Sequence, residues 1–260
     1  MSAQYVPVAE IKLAAKAALH YVRDNRDVFW RVLKPYLPYI VGAHLIGLAL
    51  LAAGVIVLPE GMKGNPVGEM LGGYFVLCFT LTWYRVIILG PQRADNVNPF
   101  RLKRHEIRCI LFGLGIILMF FVTGFPAGFL AARSLAAAIA IGVILLGGAT
   151  WVALRLSFYP ASTAVDAGIP LYESFKLSRG RVLPMFAANA IALFIMVLIA
   201  FAAAVVLAIG ASIITYFLPA PAAIFIQGVV MLPVPVILGP AVAAVAATVL
   251  SNYYLLAVRG

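Results

Sequence analysis

The residues best able to do chemistry are few and scattered. His20, His44 and His105 are too far apart for a His-Glu-x-x-His zinc motif, and no carboxylate falls inside a predicted span to complete a metal site. No glycine-rich loop ends in Lys-Ser or Lys-Thr to cradle a phosphate, and no Gly-x-Ser-x-Gly turn presents a nucleophilic serine. The two cysteines, Cys78 and Cys109, have no second pair at metal-ligand spacing and read as small buried apolar residues. The sequence therefore nominates no catalytic residue, cofactor or metal ligand. Its candidate polar intramembrane groups are His44, Asn189 and Gln227. His44 lies about two turns inside its apolar segment, where an imidazole could relay protons, contact a polar cargo or bond a neighbouring helix.

The elements that would position these groups are set by hydropathy. Of 260 residues, 64% are hydrophobic and 11% charged, and the mean hydropathy is +1.06. A soluble domain carries about a quarter of its residues as charges. The chain is expected to be one all-α integral membrane domain, 1–260, with no room for a separate soluble catalytic domain. A span needs about 20 apolar residues. Six are expected: about Tyr36–Leu58, Met70–Leu89, Ile107–Ala131, Leu135–Leu156, Val182–Ala208 and Val236–Val258. Charged residues such as Glu10, Lys12 and Arg23 interrupt any early hydrophobic core, so the first span is expected to remain as an anchor. Between the last two spans, Pro219, Pro221, Pro233, Pro235 and Pro240 predict breaks. The stretch 209–235 then reads as interfacial, re-entrant or a further span.

Loop charge orients this layout. All but Lys63 and Arg133 of the 19 Lys and Arg residues fall on one side of a six-span arrangement. The positive-inside rule makes that side cytoplasmic and places both termini there. The net charge of +10 therefore points to anionic headgroups, worth about 1 kcal/mol per juxtamembrane cation, rather than to nucleic acid. Three cytoplasmic segments have the pattern of amphipathic surface helices: residues 1–34, with Val8, Ile11, Ala15, Ala18, Leu19 and Val22 on one face; the run opened by Asn98-Pro99; and residues 157–181, with a helix from Pro170 to Gly180. The even-numbered spans end in similar ways, with Trp83 and Arg85, with Trp151 and Arg155, and with Tyr253 and Arg259. This predicts either interfacial anchors or a pseudo-repeat of helix pairs.

Tyr159-Pro160-Ala161, Asp166, Pro170, Ser174, Leu177, Ser178 and Arg179-Gly180-Arg181 resemble a motif of a bacterial six-helix membrane family. That family includes YciC-like proteins and the membrane domain attached to some glycerophosphodiester phosphodiesterases. The approach through Asn25-Arg26-Asp27 and Arg31 to Leu37-Pro38 is similar as well. The resemblance implies an inner-membrane architecture and no enzyme activity, because the phosphodiesterases keep their catalytic residues in a soluble domain that these 260 residues lack. It marks Asp166, Pro170, Ser174, Arg179 and Gly180 as motif positions, with docking of the surface helix against span five as one role and ligand binding as another. Two functional expectations remain. One is a non-enzymatic protein acting by association, as a homo-oligomer or as a subunit beside another membrane protein. The other is a lipid-handling or small-solute transport protein.

Overall fold

A computed structural model describes residues 7–56, 65–131, 134–165, 169–216 and 218–259. Among them the chain is helical throughout, without a strand. In chain order the helices are α1 (Ile11–Asp24), α2 (Arg26–Leu33), α3 (Leu37–Ala52), α4 (Pro66–Leu89), α5 (Arg104–Ala131), α6 (Leu135–Arg155), α7 (Phe158–Ala164), α8 (Leu171–Leu177), α9 (Val182–Thr215), α10 (Ala220–Met231) and α11 (Gly239–Arg259). Four helical stretches are long and apolar enough to cross a membrane: Pro66–Leu89, Ile139–Ala164, Val182–Thr215 and Phe225–Val258. A fifth results if α2 and α3, bent by 58° at Lys34-Pro35-Tyr36, form one span.

Local chemistry sets the boundaries. Asn65 caps α4, its Oδ1 accepting from Gly68 N at 3.0 Å, and Pro66 occupies the first turn, where its missing N–H costs nothing. Gly90, at φ 89°, ends α4 before Pro91. At Asn98, the cap expected from the sequence, the outcome differs. Asn98 Oδ1 accepts from Phe100 N at 2.9 Å and closes a turn, and α5 begins only at Arg104. Glu106 determines that start, because its Oε2 accepts from Lys103 N at 2.7 Å.

In the C-terminal third the expected break at Pro219 and Pro221 separates α9 from α10, and the expected break at 233–240 is corrected. α9 continues seven residues past Ala208 to Thr215, a length of about 51 Å at 1.5 Å per residue. The prolines after Leu232 do not interrupt the chain's helical path. Residues Val234–Leu238 form a π-helical segment that joins α10 to α11. A π turn is wider than an α turn, which eases the clash that the rings of Pro233 and Pro235, with no N–H to donate in any register, impose on the preceding turn. α10 lies against α9 and α3, where a Cβ on Gly228 would meet Leu48 Cδ1 at 2.8 Å.

The core sits where α1, α2, α4, α7, α9 and α11 converge. Trp83 stacks on Phe79 at 6.1 Å and takes the edges of Phe29 and Tyr21 at 5.9 and 6.2 Å. α1 presses Ala14, Ala15 and Ala18 onto α9 and α11, so its small-residue face is occupied by protein. Burial pushes the Tyr21 phenol up from its ordinary pKa. At the exposed end of α1, Arg23 donates to Asp24 at 2.8 Å and holds that carboxyl below its ordinary range. Solvent screening keeps this pair from adding much stability.

Candidate functional site

Arg85 organises the polar end of the molecule. It sits on α4 one turn before Gly90, with only 7% of its side chain exposed, and it donates in four directions. Nε reaches Ala164 O at 2.7 Å, Nη1 reaches Asp95 O at 3.2 Å, and Nη2 reaches His105 Nε2 at 3.0 Å and Glu106 Oε1 at 2.7 Å. A guanidinium can only donate, so in the Arg85–His105 contact His105 Nε2 is the acceptor. Glu106 is 3% exposed and spends its other oxygen on Lys103 N. One ion pair thus ties α4 to the start of α5, to the end of α7 and to the 90–103 loop. The loss of either partner would strand a buried charge, at a cost of about 3–5 kcal/mol.

Beside this pair lies a cleft of about 150 Å³, lined by Arg85, Leu89, Arg93, Asp95, Lys103, His105, Ala164 and Val165. Arg93, Asp95 and Lys103 are exposed at its rim, and Leu89, Ala164 and Val165 give it an apolar wall.

Three further networks join separate elements at the same end. Tyr36 Oη donates to Val97 O at 2.7 Å and meets Thr82 Oγ1 at 2.8 Å, and that oxygen also accepts from Val97 N at 3.0 Å. Trp83 Nε1 donates to Thr248 Oγ1 at 3.1 Å, and Thr248 passes its own proton to Ala244 O at 2.7 Å. Asn252 clasps the backbone of Val8 from both sides, accepting from its N–H at 2.6 Å and donating to its carbonyl at 2.7 Å.

The family-motif segment takes part in the same assembly. α7 is a buried helix with Phe158 and Ala161 in the core. Pro170 precedes the first residue of α8. Ser174 and Ser178 donate to Arg155 O at 3.4 and 3.0 Å, which docks α8 on the end of α6 rather than on span five. Gly180 turns the chain at φ 77°, and the backbone N–H of Arg179 bonds Lys176 O at 3.1 Å. Asp166 lies outside the described residues, as does the side chain of Arg259.

The expected interfacial anchors divide. Trp83 is 0% exposed, and Arg85, Tyr253 and Tyr254 are buried, so they pack in the interior. Trp151, at 49%, is exposed; it meets Phe175 edge-on at 5.6 Å, and the Arg155 guanidinium lies over the Phe175 ring at 4.1 Å. The intramembrane candidates are not gathered into one place. His44 is buried where α3 meets α4, its carbonyl accepting from Asn65 Nδ2 at 2.8 Å. Asn189 Oδ1 on α9 is buried without a hydrogen-bond partner among the described residues, and Gln227 is exposed on α10. Among the described residues, no group of three His, Cys, Asp or Glu side chains could hold a metal ion.

The Arg85–Glu106–His105 group was not apparent from sequence, which marks Arg85 only as a residue at a span end and His105 as one of three scattered histidines. The available signal was depth. Val86–Leu89 continue the apolar run for a full turn beyond Arg85, which places its charge inside the helix end and demands an acidic partner. Comparison with protein-family models, with curated proteins and with solved structures found no match to this chain.

Proposed function

We propose that this is a non-enzymatic, multi-pass protein of the bacterial cytoplasmic membrane, related to the YciC-like six-helix family, that acts by association. It works as a homo-oligomer or as a fixed subunit beside another membrane protein. The observation that carries this reading is the division of its glycines. Gly47, Gly68 and Gly72 are consumed within the chain: a Cβ on Gly47 would lie 2.7 Å from Gly68 N, one on Gly68 2.8 Å from His44 Cα, and one on Gly72 3.0 Å from His44 Nε2. A Cβ on Gly147 or Gly148 would meet nothing within 4 Å among the described residues. These two glycines share one exposed face of α6 with Ala140, Ile144 and Trp151, at helical spacing. In lipid, small residues favour association because they let helix backbones approach closely.

The same proposal places six spans, with both termini cytoplasmic. α5 and the α2–α3 pair join the four long apolar stretches named above to make six. Two facts support the orientation: the one-sided loop charge, and the meeting of residues 8–36, 90–106, 157–181 and 248–256 at one end through the bonds described above. Within this frame the paired aromatic and basic residues at the span ends belong to unlike environments, Trp83 buried and Trp151 exposed, which argues for local roles over a pseudo-repeat.

Native mass spectrometry after gentle solubilisation tests the association. A defined oligomer or a fixed partner is expected, with Gly148→Leu releasing monomer while thermal stability is unchanged. A clean wild-type monomer would refute the reading.

A further inference from the structure

We infer that the cleft beside Arg85 is a binding site for a phosphate group. Its charge makes the case. Arg85 is balanced by Glu106 and Asp95 offsets one rim cation, so among the described residues Arg85, Arg93 and Lys103 against Glu106 and Asp95 leave a positive excess at the cleft. An anion with several oxygen acceptors suits both that charge and the N–H donors around it.

Size agrees with charge. The cleft measures about 150 Å³, which suits a phosphate group and its first substituent. The floor is rigid because Arg85 is locked by four bonds, and one of its five N–H groups, on Nη1, has no partner among the described residues. The rim is available. Neither the Arg93 nor the Lys103 side chain makes a hydrogen bond or ion pair among the described residues, so both cations can close on a ligand without breaking the fold. Leu89, Ala164 and Val165 form an apolar shoulder that suits the carbon substituents of a phosphodiester. Two sources share this chemistry, the headgroup of an anionic lipid and a free phosphate.

The test uses the full chain and measures binding as the shift in unfolding midpoint against ligand concentration. One arm places it in nanodiscs of phosphatidylcholine with increasing phosphatidylglycerol, and the other adds inorganic phosphate or dimethyl phosphate in detergent. Arg93→Gln/Lys103→Gln is compared with Arg101→Gln/Arg108→Gln, which removes equal charge from exposed residues of the same region outside the cleft. The cleft pair should weaken binding at least about tenfold, through lost charge-assisted bonds, and the control pair about twofold or less. A response to phosphatidylglycerol alone assigns the headgroup, and a response to the soluble anions assigns free phosphate. No response in either arm, or equal loss in the two double variants, would overturn the site.

Discussion

Hydroxyl and amide groups behave differently in the two halves of this molecule. At the end where the termini meet, they bond across elements: Tyr36 and Thr82 to the 90–103 loop, Trp83 to Thr248, Asn252 to Val8, and Arg85 to three separate segments. Along the long apolar helices they bond their own backbone, as Thr123 does to Met119 O, Thr150 to Leu146 O, Ser212 to Ala208 O and Thr215 to Ala211 O. A bond to one's own helix satisfies a polar group in lipid but holds no tertiary arrangement. One half is therefore knit by specific polar contacts, and the other presents smooth apolar faces to lipid or to another protein.

The strongest way to break this contrast is at the ion pair. Arg85→Met should cost about 3–5 kcal/mol by stranding Glu106, seen as a large fall in unfolding midpoint in detergent. Arg85→Met/Glu106→Met should be more stable than Arg85→Met alone, because no buried charge then lacks a partner. The next effect separates the glycines. Gly47→Ala should cost about 1–3 kcal/mol by driving apart α3 and the start of α4, whereas Gly148→Ala should be neutral or stabilise α6 by up to about 1 kcal/mol. Asn252→Ala should cost about 1–2 kcal/mol and speed hydrogen exchange in the Val8 segment, leaving α9 and α10 as protected as before. Thr150→Ala and Ser212→Ala should stay within about 0.5 kcal/mol of wild type, since each removes only a bond to its own helix. A large effect there would erase the distinction.

Hydropathy made the apolar half legible, because a lipid-facing helix declares itself residue by residue. The start of α8 after Pro170 was legible as well, whereas Asn65-Pro66, which opens α4 four residues before the expected Met70, was not. What sequence hid was long-range pairing. Trp83 and Arg85 have the composition of an interfacial belt, and only the approach of α11 and of Glu106 makes them interior. The proline cluster at 233–240 misled for a related reason. A proline removes one backbone donor and crowds the preceding turn, and the chain kept its helix by widening that turn to the π form.

The account rests most heavily on one claim, that the N-terminal segment, the 90–103 loop and the 157–181 segment share a single end, opposite the far end of α9. Cysteine labelling with a membrane-impermeant maleimide addresses it directly, since Cys78 and Cys109 are buried and give little background. Glu10→Cys, Arg101→Cys and Glu173→Cys should label only after the cells are permeabilised. Tyr216→Cys, at a position 80% exposed just past α9, should label in intact cells. Labelling of any of the first three in intact cells, or of Tyr216→Cys only after permeabilisation, would contradict the account.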